Sequence, residues 1–306
     1  MAVTFSQAGA IRDKSTLQAQ AGRIAIMLPD LLAQAEQAAN TLAQGLHGRR
    51  KSGPGEAFWQ YRPFMPGDTA SAIDWRKSGR SDNLFIRENE WEAAQTLWFW
   101  VDMSDSMQLH SSLAEQTKAE RAIILSLALG FLLTGAGEMI GAYGSERPPG
   151  FTKRAVTSLA QCFFTQGARP ASARAVLPRP ANTAKPYSEA VFMSDFLGDI
   201  NEIQSAFCAI AATGINGHMV QVLDPAEETL PFSGRIEFAD PEGKSSLTIA
   251  RAENLKDRYQ QRLHTHRAAL KALARRLGWS FTSHHTDTPP GSALLALNNI
   301  LAQNRT

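Results

Sequence analysis

Three apolar runs in this chain end abruptly on an aspartate, and that repeat constrains the fold more than any other feature. Thr96 to Val101 reads TLWFWV and stops at Asp102, Ala190 to Ser194 stops at Asp195, and His218 to Leu223 stops at Asp224. Runs without polar alternation mark strands covered on both faces, as in a parallel sheet. Helix-patterned segments lie between them, at Lys118 to Leu133, Ala155 to Phe164 and Ile200 to Ala212, with two more strands expected at Glu138 to Tyr143 and Trp279 to Ser283. This alternation, with right-handed crossovers, predicts an α/β class fold with a doubly wound, mostly parallel sheet.

The flanking regions read differently. Ala21 to Leu46 carries Ile24, Met27, Leu31, Ala35, Ala39 and Leu42 at helical spacing, so one face should pack on the core. Phe58 to Glu92, punctuated by Pro63, Pro66 and Gly67, predicts two or three short antiparallel strands. Gly167 to Pro186 reads as a long Pro-rich loop, and Arg235 to Ile249 as a small hairpin. A long helix over Arg251 to Leu277 and a closing helix over Ser292 to Ala302 complete the pattern. The organisation expected is an N-terminal helix and irregular β segment over 1–92, packed on an α/β domain over 93–306.

With 306 residues the chain can bury a sizeable core, and its net charge of +2 gives no reason to expect nucleic acid. Its two cysteines, Cys162 and Cys208, lie in apolar helical patterns and read as free thiols in a reducing compartment. The most apolar stretch, Ala122 to Ala136, falls short of the roughly 20 residues that span a bilayer, so membrane insertion is not expected. The N-terminal residues lack the pattern of a secretory signal, so the expected location is the cytoplasm.

After the first strand the sequence reads Asp102-Met-Ser-Asp-Ser106. One carboxylate and two hydroxyls spaced two residues apart on such a loop can turn three oxygens toward a hard cation. Asp102, Ser104 and Ser106, joined by Asp195 if its strand is adjacent, are therefore the candidate ligands for Mg2+, or for Mn2+ or Ca2+ in its place. The competing reading makes Ser104 and Ser106 ordinary turn and cap residues.

Charged and aromatic residues between Glu56 and Glu92, among them Arg62, Asp68, Asp74, Trp75, Arg76 and Arg80, read as ion pairs holding an irregular segment. A partner-binding surface is the rival reading.

Several chemistries lack their residues. His264 and His266 are two apart on a helix, and His284 and His285 are adjacent on a strand, so neither pair suits zinc. No Gly-x-x-x-x-Gly-Lys-Ser/Thr loop or Gly-x-Ser-x-Gly elbow is present. A Mg2+-dependent phosphohydrolase with Asp102 as nucleophile is the enzymatic alternative, but the usual second acid two residues on is Ser104.

Consecutive blocks also resemble a family. Gly48-Arg-Arg-Lys-Ser-Gly-Pro-Gly-Glu56, Tyr61-Arg-Pro-Phe-Met-Pro-Gly-Asp68, Ile73-Asp-Trp-Arg-Lys-Ser-Gly-Arg80 and Val101-Asp-Met-Ser-Asp-Ser-Met107 are similar to the domain-of-unknown-function family 58. Phe192-Met-Ser-Asp-Phe196 and the run from Val220 to Pro231 extend the resemblance, in order, to the C-terminal part. It implies a von Willebrand factor A-like (Rossmann-like) domain with a metal-ion-dependent adhesion site, matched by Asp102, Ser104, Ser106 and Asp195. It also implies a non-enzymatic, chaperone-like role beside a MoxR-type AAA+ ATPase, acting on other client proteins. The threonine usual in that site has no clear counterpart among Thr152, Thr157, Thr165 and Thr183.

Overall fold

The computed structural model describes residues 29–43, 58–65, 69, 73–80, 83–89, 96–169, 177–232, 234, 236–239, 246–249 and 253–303. Five strands form the central sheet: β3 (Thr96–Val101), β4 (Met139–Ala142), β5 (Glu189–Ser194), β6 (Asn216–Leu223) and β9 (Ser280–His285). Every pairing in it is parallel, in the order β4-β3-β5-β6-β9. The chain builds from β3 outward to β4, then returns past β3 to lay down β5, β6 and β9. The doubly wound α/β sheet expected from the apolar runs is present.

The strand side chains explain why the runs are continuous. Leu97, Phe99 and Val101 face one layer with Val191, Met193, Val220 and Val222. Trp98 and Trp100 face the other with Ala190, Phe192 and Met219. The first layer is covered by α3 (Lys118–Gly135), α4 (Lys153–Gly167) and α8 (Pro290–Gln303), and by Leu31, Ala35 and Ala39 of a further helix, α1, over 29–43. The second is covered by α5 (Ile200–Ala211) and α7 (Glu253–Arg276), through residues such as Phe207, Ile210, Leu270 and Leu273.

Stacking in the second layer is tight. Phe192 lies parallel to Trp279, with centroids 5.6 Å apart and planes 8° from each other. The indole presses on Gly217, where an added Cβ would come within 2.1 Å of it. Glycine at this position is a packing requirement of the Trp279 ring.

α3 starts on a full capping box. The Thr117 hydroxyl accepts from Glu120 N–H at 3.1 Å, and Glu120 Oε2 accepts from Thr117 N–H at 2.9 Å. Such a cap contributes about 1 kcal/mol and fixes where the helix begins.

Outside the sheet, β1 (Phe58–Pro63) and β2 (Phe85–Asn89) form the expected antiparallel pair, extended by a bridge between Ile73 and Ile86. A short helix, α2 (Trp75–Ser78), interrupts this region and was not expected; Asp74 caps it by accepting from Lys77 N–H at 3.0 Å. In this segment the Tyr61 hydroxyl donates to Asp74 at 3.2 Å, and Lys77 lies over the Tyr61 ring. Asp68 and the Arg62 side chain lie outside the described residues.

The hairpin near 235–249 is present as β7 (Ile236–Ala239) and β8 (Ser246–Ile249). A second unanticipated helix, α6 (Pro225–Thr229), follows β6 directly. Both cysteines are free. No helix among the described residues is long and apolar enough to cross a membrane.

Candidate functional site

The order of the central sheet reverses between β3 and β5, and ligands in open α/β sheets bind beyond the carboxyl ends of strands at such a point. Asp102 and Asp195 follow those two strands. Their neighbourhood is fixed by register: Val101 pairs with Met193, and Asp102 N–H donates to the Met193 carbonyl at 2.9 Å. The adjacency on which a joint site depends is therefore real.

Asp102 is only 1% exposed, and each of its carboxylate oxygens has a partner. Oδ1 accepts from Ser104 N–H at 2.9 Å, and Oδ2 accepts from the Ser194 hydroxyl at 2.7 Å. Ser194 is in turn held by Phe196 N–H, which donates to its Oγ at 3.0 Å, so a relay of donors aims at the carboxylate. These bonds lower its pKa, but burial outweighs them and the Asp195 charge adds to burial, pushing Asp102 from 3.8 up to about 7. Ser104 is buried as well, and its Oγ stands 3.1 Å from that of Ser106, where the loop turns into a short 3-10 segment, Ser106–Gln108.

Asp195 is placed differently from the first-loop residues. Its Oδ1 accepts from Leu197 N–H at 3.2 Å, while Oδ2 lies 2.8 Å from the Lys118 ammonium. The same ammonium reaches Glu227 Oε1 at 2.5 Å. Burial alone pulls the Lys118 pKa down, but the two carboxylates more than offset it and hold the ammonium above its ordinary value. Tyr259 of α7 is close enough to feel these charges; burial first, then Glu227, push its phenol up to about 12.

A second set of contacts pins the Asp195 loop from the α7 side. The Asp195 carbonyl accepts from Gln221 Nε2 at 2.9 Å, and Gln221 Oε1 accepts from Arg267 at 3.2 Å. Arg267 forks onto Glu228 of α6, which also meets His285 at 3.0 Å. Phe196 adopts a left-handed backbone with φ of 50°, uncommon for a bulky residue, and its carbonyl lies 2.6 Å from His266 Nε2. A carbonyl can only accept, so this nitrogen carries the proton.

Asp224, the third strand-end aspartate, is occupied structurally. It caps α6 through Ala226 N–H at 2.8 Å and accepts from Ser111 N–H at 2.8 Å.

For a divalent ion the fit rests on the first loop. Asp102 is a buried carboxylate beside two hydroxyls, with no cationic side chain among the described residues bonded to it, so an ion there would relieve the burial penalty. Among the described residues no three His, Cys, Asp or Glu side chains converge as metal ligands, so such an ion depends on serine oxygens and water. None of the threonines weighed from the sequence joins the loop. Thr157 and Thr165 spend their hydroxyls on α4 carbonyls, Thr152 precedes that helix, and Thr183 lies in a turn before β5.

Sequence reading missed Lys118, Glu227, Ser194 and Gln221. Asp224-Pro-Ala-Glu227 is nonetheless a legible helix start, with a cap residue, Pro at the first position and Glu at the third.

The chain is similar to several known proteins. An uncharacterized protein of Mycobacterium tuberculosis, Rv1480, is 26% identical over 278 residues, covering 87% of this chain and 86% of its own. The uncharacterized protein Mb1516 of Mycobacterium bovis matches to the same extent. Among solved structures, an aerotolerance-related membrane protein from Bacteroides fragilis is similar with a TM-score of 0.37 and 16% identity, over 67% of this chain and 97% of that one. The conserved hypothetical protein BatB from Bacteroides thetaiotaomicron aligns with a TM-score of 0.34 and 15% identity, over 68% and 98%. The family described as "Protein of unknown function DUF58" matches residues 60–269, and the chain belongs to that family.

Proposed function

We propose that this chain is a non-enzymatic protein-interaction module of the von Willebrand factor A-like kind, whose contact edge is the switch point between β3 and β5. In this reading Asp102, Ser104 and Ser106 hold a Mg2+ ion, with Asp195 contributing through water. The module works in the cytoplasm beside a MoxR-type AAA+ ATPase in remodelling other proteins. The observation that carries the reading is the Asp102 loop itself: a buried carboxylate flanked by two hydroxyls at the one edge where the sheet order reverses.

Two further features favour contact over catalysis. The loops leaving β3 and β5 expose Leu109, Leu113 and Leu197, apolar side chains suited to a protein partner. The second acid that a carboxylate nucleophile needs two residues on is replaced by Ser104.

The test is retention of a purified MoxR-type ATPase on immobilised protein, in Mg2+ and in EDTA. Wild type should retain it in Mg2+ alone, and Asp102→Ala in neither condition. Equal retention by both proteins would remove the metal-dependent contact. Turnover of p-nitrophenyl phosphate that vanishes in Asp102→Asn would replace it with the phosphohydrolase reading.

A further inference from the structure

Lys118 is poorly explained as packing. It occupies the first position of α3, where the helix dipole favours negative charge, and its side chain has 0% exposure. Lysine tolerates such burial only when it is paired. Here the pairing is double and spans the sheet edge. Nζ meets Asp195 from the loop after β5 and Glu227 from the helix after β6, while Lys118 itself belongs to the helix after β3. Glu227 is fixed from its other side, because its Oε2 accepts from Asp224 N–H at 2.9 Å. Segments that follow two strands therefore close on one positive charge carried by the helix that follows a third, on the edge that also holds the Asp102 loop.

We propose that Lys118 is a tethered cation that competes with a divalent ion for Asp195 and so sets how tightly the Asp102, Ser104 and Ser106 loop binds metal. The inference rests on the cation-binding reading above. With Oδ2 held by the ammonium and Oδ1 by an amide, Asp195 reaches an ion chiefly through a bridging water. A fixed positive charge near the ion also repels it in a medium that screens weakly. Against the one ammonium stand the Asp195 and Glu227 carboxylates, and Asp102 adds a third negative charge when an arriving ion displaces its proton, so the edge keeps an attraction for cations while the lysine limits its strength. The result is a site built for weak, exchangeable binding rather than permanent occupancy. Lys118 acts through Asp195 and is a positioning residue.

The experiment is Mn2+ titration of the full chain, followed calorimetrically and by paramagnetic resonance, for wild type, Lys118→Met and Glu227→Gln. Methionine is unbranched, only one atom shorter and uncharged, so Lys118→Met should bind Mn2+ at least tenfold more tightly than wild type. Glu227→Gln leaves the ammonium to Asp195 alone and should bind several-fold more weakly. A purely structural lysine predicts the opposite for Lys118→Met, because a disturbed site loses affinity.

If wild type binds Mn2+ and Lys118→Met binds equally or less, the inference about Lys118 fails and the metal reading stands. Binding by Lys118→Met alone would show that the ammonium fully excludes the ion in the native chain; the metal reading then fails and the competition stands. Binding by neither overturns both. Should Lys118→Met not fold, unchanged Mn2+ affinity in Glu227→Gln overturns the proposal.

Discussion

Replacing Asp102 by Asn in EDTA isolates the electrostatics of the switch point. The folded carboxyl titrates at about 7, against 3.8 for an ordinary aspartate. Between those values the native state keeps a proton that the unfolded chain has released, so stability falls as pH rises through the window. At about 1.4 kcal/mol per tenfold, the full window caps the loss at about 4 kcal/mol. The asparagine variant has no such proton. It exchanges the bond from Ser194 for a poorer one, an offset of about 1 kcal/mol that does not vary with pH. Urea unfolding followed by circular dichroism should therefore show wild type losing about 2 kcal/mol relative to Asp102→Asn between about pH 5 and pH 7. Millimolar Mg2+ at pH 8 should restore wild type and leave the variant unmoved. Stability curves that run parallel across this range would refute the reasoning.

Gly217→Ala should destabilise by about 3 kcal/mol in urea titration, because its Cβ would meet the Trp279 ring at 2.1 Å with no flexible group to yield. Lys118→Ala in EDTA should cost about 3–5 kcal/mol by the same assay, since Asp195 and Glu227 are left buried without their cation. Glu228→Gln should be less stable than wild type above about pH 4.5, with the difference shrinking as pH falls toward 2. Hydrogen bonding to Arg267 holds the Glu228 carboxyl at about 2, against an ordinary 4.5, so the stability it adds is present above that ordinary value and fades as pH falls toward 2. Thermal melts across that range give the comparison. Leu113→Asp, at a side chain 52% exposed, should leave the melting temperature within a degree or two while reducing retention of the ATPase at least tenfold.

The fold was legible because its strands obey one rule. TLWFWV, AVFMS and HMVQVL each bury both faces, as a parallel sheet between helices asks of five or six consecutive residues. The adjacency of Asp102 and Asp195 stayed open at that point, because crossover handedness does not fix strand order, and it is the observed pairing of β3 with β5 that brings them together. Lys118 was hidden for the opposite reason. A lysine opening a helix reads as solvated, and nothing local shows that acids 77 and 109 residues later will close on it. Helix α6 was within reach through its capping pattern, yet the Asp224-Pro225 pair reads first as the end of a strand. α2 has no apolar periodicity at all and exists because Asp74 caps four residues.

Those long separations also bear on how the protein is made. An emerging chain passes Lys118 well before it reaches Asp195, and Asp195 well before Glu227. Throughout that interval the ammonium has no reason to leave water, and the start of α3 cannot be drawn fully into the interior without the desolvation cost of a lone charge. Closure of the β3 and β5 edge should then wait for the segment after β6, and a nascent chain halted before Glu227 should keep α3 open to proteases even though β3, β4 and β5 have already been translated.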